Sequence, residues 1–156
     1  MKKLFCILMT IAMLATMSMS VFAANTTGGE ADITTSIAPT YTVTIPADVN
    51  VQFNATETAF GTIEVVASQI HPDKCIKVAL ATDNKLENSI DATKIIPYAI
   101  KDSAGAAFTS ATYLTEGDKT DLSIHITTDD WNAAYAGDYS DTVTFTVSYV
   151  DKAAND

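Results

Sequence analysis

Apolar and polar residues alternate with a period of two along much of this 156-residue chain, and no stretch of twelve residues after the apolar N-terminus sustains the 3.6-residue period of a helix. The clearest run places Val143, Phe145, Val147 and Tyr149 on one side, with threonine and serine between them. Shorter runs at residues 41–45, 76–80 and 122–126 repeat the pattern. Such alternation is typical of strands with one buried and one solvated face. The sequence therefore predicts an all-β protein.

Weaker alternation at four further places adds candidate strands, at residues 33–37, 49–53, 62–67 and 95–100, the last with Pro97 as an irregularity. Turn-forming Pro, Gly, Asp and Asn residues separate the runs at intervals suited to antiparallel connections. Asp129 is a candidate cap for one short helical turn. We predict an immunoglobulin-like antiparallel β-sandwich of about seven to eight strands, with a β-barrel as the alternative architecture.

The first 23 residues have the layout of a secretory signal peptide. Lys2 and Lys3 give a positive start, an apolar run follows, and Val21-Phe22-Ala23 forms a small-residue cleavage site. The alternative is an N-terminal membrane anchor. After cleavage we expect a flexible lead-in at residues 24–31, the sandwich domain at 32–150 and a polar tail at 151–156. Such a protein is secreted, extracellular or held at the cell surface, and has no membrane span.

The charge of the chain excludes one class of partner. The sequence contains 9 Lys, no Arg and 19 acidic residues, for a formal net charge of −10. Removal of Lys2 and Lys3 with the signal makes the charge more negative still, so the mature chain is not a basic nucleic-acid binder. Cys75 is the only cysteine after the signal, which excludes an intrachain disulfide. We expect Cys75 to pack in the core; the alternative is a disulfide between chains.

Catalytic and metal-binding motifs are missing from the sequence. His71 precedes a proline in a turn, and His125 lies on the polar side of a strand. Neither stands at a metal-ligand spacing, and there is no nucleophile elbow or glycine-rich phosphate loop. We therefore expect a protein that is not an enzyme and that holds no cofactor or metal.

Ligand binding remains as a candidate function of two features. Trp131 and Tyr135, with Asp129 and Asp130 beside them, can form a platform for a glycan; the alternative is that Trp131 anchors the core. Acidic loops can hold calcium, although their spacing matches no twelve-residue calcium loop, and the alternative is that they are solvated and keep the protein soluble. These acids are Glu116, Asp118, Asp121, Asp129, Asp130, Asp138 and Asp141.

The C-terminal region carries a family resemblance. Ala136-Gly-Asp-Tyr-Ser-Asp-Thr-Val-Thr-Phe-Thr-Val-Ser-Tyr149 resembles the end of fimbrial-subunit and spore-coat-protein-U-like surface proteins. Tyr41-Thr-Val-Thr-Ile-Pro46, with Gly61-Thr62 further on, is also similar to secreted surface proteins of Gram-positive bacteria. The resemblance implies an incomplete, pilin-like sandwich that a strand of another chain completes. Gly137 and Tyr139 also resemble a structural tyrosine corner, in which a tyrosine bonds backward to the backbone.

A sandwich that lacks one strand exposes an unpaired edge and a groove, which another extended segment can fill. Residues 32–38 are a candidate donor, with Ile33 and Ile37 on one side of an extended chain; the alternative is that they form the domain's own first strand. The candidate acceptor residues are Val143, Phe145, Val147 and Tyr149.

Taken together, these patterns predict a non-catalytic exported surface protein, a fimbrial-like structural or adhesive subunit. Its expected partner is another copy or another surface protein, bound by β-strand addition. A carbohydrate- or calcium-binding extracellular module is the alternative function.

Overall fold

The computed structural model describes residue 30 and residues 32–153. Within these residues it contains ten β-strands and one short helix, α1 (Thr128–Ala133), which follows the eighth strand. In chain order the strands are β1 (Thr40–Thr44), β2 (Glu57–Gln69), β3 (Lys74–Ala81), β4 (Lys85–Asn88), β5 (Ile95–Pro97), β6 (Ala99–Asp102), β7 (Ser110–Tyr113), β8 (Lys119–His125), β9 (Tyr139–Ser140) and β10 (Thr144–Asp151).

The strands form three antiparallel sheets. A four-stranded sheet has the order β1-β2-β8-β6, a three-stranded sheet has the order β10-β3-β7, and a second three-stranded sheet has the order β5-β4-β9. The first two sheets contribute to one core, because Ile63 and Val65 of β2 are fully buried in the same cluster as Ile76 and Val78 of β3. Burial of each such side chain stabilises the fold by roughly 1.5–3 kcal/mol. The predicted all-β, sandwich-like fold is confirmed.

All four strong alternating runs form strands, whereas two of the weaker ones do not. Residues 33–37 and 49–53 lie outside every strand. Alternation gives a segment one apolar face, but a strand also needs a neighbouring backbone edge, and the described part of the chain pairs none with these two segments. The count of seven to eight strands was low because the predicted strand at 95–100 divides into β5 and β6, and the short strands β4, β7 and β9 were not predicted.

The strands of the described residues extend from Thr40, which pairs with Gln69, to Asp151, which pairs with Lys74. The predicted limits of the domain, residues 32 and 150, stay a prediction. The signal peptide and residues 24–29 and 31 of the lead-in lie outside the described residues. No helix in the described ranges combines the length and the hydrophobicity needed to cross a membrane.

Candidate functional site

Among the described residues, strand β10 has a neighbour on one side only. All eight of its residues pair with β3, from Thr144 opposite Ala81 to Asp151 opposite Lys74. Within residues 32–153 no strand pairs with the other edge. Strand β1 is likewise the outer strand of the four-stranded sheet, and the rings of Tyr41 on β1 and Tyr149 on β10 lie 5.8 Å apart. The free edges of the two facing sheets therefore meet on the same side of the sandwich.

Beyond this aromatic contact the two edges separate and leave an open groove of about 1460 Å³. Its floor includes Phe60 of β2 and Phe145 of β10, whose ring centroids are 5.9 Å apart, together with Val43 and Val143. All four side chains pack against the core and are only partly buried. The groove thus exposes part of the hydrophobic core beside the unpaired edge of β10. Such grooves fit an added strand with apolar side chains.

A β-bulge places Phe60 in this floor. Ala59 pairs with Ser123 and Gly61 with the adjacent Leu122, so Phe60 is an extra residue in β2. Bulges redirect side chains at sheet edges and beside functional sites. Gly61 has a φ of +134°, and a Cβ there would lie 3.1 Å from Cβ of Pro46. The close approach of these two residues sets the path of the chain after β1, which then forms a wall of the groove.

That wall is the segment of residues 47–53, hereafter the rim segment. It has no regular secondary structure and lines the groove except at Gln52. Its large apolar residues are Val49, which is 37% exposed, Val51, which is partly buried, and Phe53, which is 76% exposed. Exposed apolar side chains around a concave apolar surface are characteristic of an interaction site.

The predicted glycan platform is not formed by Trp131. Its side chain is only 9% exposed, its Nε1 donates a hydrogen bond to the carbonyl of Ala55 at 2.9 Å, and its ring packs edge to face on Phe53. This is the core-anchor alternative. Tyr135 is 62% exposed and its ring lies 4.7 Å from the Lys94 ammonium. The exposed aromatic residues at this end of the groove are therefore Tyr135 and Phe53.

The two aspartates of the predicted binding set lie at the start of α1. The helix cap is Thr127 and not Asp129: the Thr127 hydroxyl accepts a bond from the backbone N–H of Asp130 and donates one to its carboxylate. Asp129 is exposed in the first turn, where a negative charge is favourable next to the helix N-terminus. Both residues stabilise the helix, which presents Trp131 to the core.

Tyr139 makes the hydrogen bond expected of a tyrosine corner. Its hydroxyl donates to the carbonyl of Tyr135, four residues upstream, at 3.0 Å and accepts from the Tyr135 N–H. Gly137, between them, has a φ of +146°, and a Cβ there would lie 2.5 Å from Nδ2 of the buried Asn88. The turn that leads into β9 and β10 therefore requires glycine at position 137.

A polar cluster forms part of the groove wall just before β10. The Asp141 carboxylate accepts hydrogen bonds from the hydroxyls of Tyr98 and Thr82, and from the backbone N–H of Thr142. Burial raises the pKa of Tyr98, and its hydrogen bond to Asp141 acts in the same direction. The cluster fixes the start of β10 against β5, β6 and the end of β3.

Several of the acids proposed as calcium ligands serve as hydrogen-bond acceptors. Asp118 accepts from the backbone N–H groups of Thr115 and Leu114, which lower its pKa, with Thr115 contributing most. Asp121 accepts from the hydroxyl of Thr62. Among residues 30 and 32–153 no three or more His, Cys, Asp or Glu side chains lie close enough together to hold a metal ion.

The histidines and the cysteine lie outside the groove. His125 Nε2 lies 2.9 Å from the hydroxyl of Ser123 and 3.9 Å from the carboxylate of Glu57, on the outer face of the sheet. A Ser-His-acid triad requires the acid on the other ring nitrogen, so this arrangement is not that of a triad. His71 is on the surface, in the turn before β3. Cys75 is 1% exposed and packs in the core beside the end of β10.

The candidate donor segment precedes β1. Residues 32–39, hereafter the arm, belong to no sheet, and all are exposed. Ile33 is 99% and Ile37 is 68% exposed. The structure therefore does not bring Ile33 and Ile37 together with the acceptor residues of β10 in the same chain.

Searches for related proteins add no identification. No model of a known protein family matches the sequence, and no curated protein matches it.

Proposed function

We propose that this chain is an exported, non-catalytic surface protein, a fimbrial-like subunit that assembles by β-strand addition. The observation that supports this proposal best is the free edge of β10 beside an open apolar groove. An unpaired edge that is long and flanked by apolar surface pairs readily with another chain. Natural proteins normally cover or charge such edges, and β10 carries its only charged residue at its last position, Asp151.

The occupant that we propose is the arm of a second copy. The arm and β10 each contain eight residues, so at about 3.3 Å per residue an extended arm matches the edge in length. Its residues Ile33, Thr35 and Ile37 share one side of an extended chain, as do Phe145, Val147 and Tyr149 in β10. Paired strands present their apolar sides to the same face of a sheet, so an arm docked on β10 buries both isoleucines.

The arm is poorly placed to fill the groove of its own domain. Thr40, where the arm joins β1, pairs with Gln69, and β2 leads from there into β3 near Lys74. Lys74 pairs with Asp151, so the arm joins β1 at the end of the sandwich where β10 finishes. The groove opens beside the beginning of β10, and no residue of the arm lines it. To reach the groove of its own domain, the arm would have to reverse direction at Pro39. An arm from another copy can enter the groove without such a reversal.

The assembly experiment compares the mature chain, residues 24–156, with the double variant Ile33→Asp/Ile37→Asp. The matched control is Ile90→Asp, because Ile90 is 89% exposed and does not line the groove. We expect the wild type and the control to form multimers as concentration rises, by light scattering after size exclusion, and the double variant to remain a monomer with an unchanged urea midpoint. A wild type that is monomeric at every concentration, or a double variant that assembles as well as the control, would contradict the proposal.

A glycan-binding module is the second candidate, and it now depends on Phe53 and Tyr135. Both aromatic rings are exposed at one end of the groove, and amphipathic sugar faces stack on such rings. Because Trp131 contacts Phe53, its fluorescence would report a sugar that binds there. Titration with neutral oligosaccharides tests this candidate, and a response that Phe53→Ala abolishes would support it.

A further inference from the structure

The charged side chains that line the groove all carry the same sign. They are Asp48 in the rim segment, Asp138 in the turn before β9, and Asp141 just before β10. Asp48 and Asp138 are exposed, whereas Asp141 is partly buried and accepts hydrogen bonds from the hydroxyls of Tyr98 and Thr82. Among the described residues, no lysine or histidine lines the groove. The groove is therefore negatively charged as well as apolar.

These three acids have no counter-ion within the described part of the chain. The ion pairs there join Lys74 to Asp151 and the two histidines to acids elsewhere, and none of them includes a residue of the groove. Lys94 lies near one end, with its ammonium 4.7 Å from the ring centroid of Tyr135, but it does not line the groove. A cleft lined by charges of one sign attracts ligands of the opposite sign. The groove therefore favours an occupant with a positive charge.

The arm fits the groove in its apolar pattern but not in its charge. Asp32 is the only charged residue of the arm, Glu30 precedes it, and residues 24–39 contain no lysine. In one direction along β10, a docked arm would bring Asp32 towards the acids at the start of the strand, and like charges brought together weaken binding. In the other direction it would leave those acids without a counter-charge.

Other segments of the described chain do not supply the missing charge either. Lys94 belongs to a loop that is closed by hydrogen bonds to Asn88 and Asp91. The N–H of Lys152 donates to the carbonyl of Asp73, directly after β10. The remaining lysines all lie within strands, and these are Lys74, Lys77, Lys85, Lys101 and Lys119. A basic donor segment therefore has to come from a different protein.

Resting on the proposed function, we infer that the tightest occupant of the groove is a basic extended segment of a different protein. Such a segment has alternating apolar side chains, as the arm does, and a lysine or arginine at one end, which the arm lacks. The arm then joins copies of this chain, and the basic segment displaces it. Because salt screens exposed charges, the advantage of the basic segment is largest at low ionic strength.

Three peptides with blocked ends test this inference. The parent peptide is residues 31–39, the glutamine peptide carries Asp32→Gln/Ala38→Gln, and the lysine peptide carries Asp32→Lys/Ala38→Lys. Both ends are changed so that one lysine lies near the groove acids whichever way the peptide runs. The receptor is the mature Ile33→Thr/Ile37→Thr chain, in which the arm is disabled without a change of charge.

The affinities are measured by titration calorimetry at low and at high salt. At low salt we expect the lysine peptide to bind about tenfold more tightly than the parent peptide, with the glutamine peptide between them, because each exposed ion pair contributes a few-fold. In about 1 M salt the Debye length falls to about 3 Å, and the difference should shrink to less than about twofold. A lysine peptide that also carries Ile33→Ser/Ile37→Ser should not bind; equal binding without the apolar side chains would overturn the inference.

Two receptor variants locate the effect. Asp48→Asn/Asp138→Asn removes the two exposed acids from the groove and leaves the hydrogen bonds of Asp141 in place. Glu87→Gln/Glu116→Gln is the matched control, because it removes the same charge from exposed positions that do not line the groove. We expect the first variant to reduce the preference for the lysine peptide to less than about threefold and the control to keep it.

The outcomes separate the inference from the proposed function. If the three peptides bind equally, or if the groove variant keeps the full preference for the lysine peptide, the inference is wrong and the proposed function stands. If none of the three peptides binds, strand addition in the groove is wrong, and the inference falls with it.

Discussion

Replacement of Gly137 by alanine should destabilise the domain more than the same change at another positive-φ glycine. An alanine at a φ of +146° costs about 1–3 kcal/mol in backbone strain. Its Cβ would also lie 2.5 Å from Nδ2 of Asn88, which is only 6% exposed, so that side chain must move.

The displacement of Asn88 has its own cost. The side-chain oxygen Oδ1 of Asn88 accepts hydrogen bonds from the backbone N–H groups of Ile90 and Asp91, at 2.9 and 3.2 Å. Loss of these bonds around a buried amide adds about 1–3 kcal/mol. We therefore expect Gly137→Ala to lower the free energy of unfolding by about 2–6 kcal/mol, the sum of both effects.

Gly105→Ala is the matched control, because Gly105 has a φ of +80° and no atom within 4 Å of the added Cβ. Gly105→Ala should lower the free energy of unfolding by the backbone strain alone, about 1–3 kcal/mol. Urea unfolding followed by the fluorescence of Trp131 measures both variants. Equal destabilisation of the two would refute the claim that contact between position 137 and Asn88 requires glycine.

Three further predictions concern the surroundings of the groove. Trp131→Phe loses the bond to the Ala55 carbonyl and part of the packing of the indole ring, so urea unfolding should show a loss of at least about 1–2 kcal/mol; an unchanged midpoint would argue against that bond. The pKa of Tyr98 is raised in the folded state, so its contribution to the free energy of unfolding is complete below its usual pKa and is lost as the pH rises above that value. The thermal midpoint of the wild type should therefore fall with alkaline pH more steeply than that of Tyr98→Phe, and parallel curves would contradict this. The pKa of Asp118 is lowered in the folded state, so its contribution to the free energy of unfolding is present above its usual pKa and is lost as the pH falls below that value. In Asp118→Asn the urea midpoint should therefore decline less between neutral and acid pH than in the wild type. An equal decline would count against the bonds of Asp118 to Thr115 and Leu114.

The sequence predicted the strands that carry a strong alternating pattern, because alternation is local. In residues 143–149, for example, Val143, Phe145 and Val147 pack against the core as expected, and Val143 and Phe145 line the groove. Which strand edge lacks a partner is not a local property. Strand β10 is the outer strand of its sheet because β3 pairs with β10 on one side and with β7 on the other. The alternating pattern alone therefore predicts the strand β10, but it does not predict which edge of that strand lacks a partner among the described residues.

Two important side chains of the site escaped sequence analysis for a physical reason. Phe60 is the extra residue of a bulge, where the period of two shifts and alternation no longer tells which face a side chain takes. Phe53 lies in a segment with the pattern of a strand but without a partner. The glycine and proline quoted for the resemblance, Gly61 and Pro46, were a usable signal, because they are in contact and fix the rim segment.

The pairing of β10 with β3 joins residues at the end of the chain to residues about seventy positions earlier. When such a chain emerges from a ribosome or a translocation channel with its N-terminus first, one edge of β3 therefore stays unpaired until residues up to Asp151 have emerged. Such distant pairing slows folding and exposes strand edges while the chain waits. Completion of this domain is thus timed by β10, and a chain truncated before Phe145 would lose the part of this strand that borders the groove.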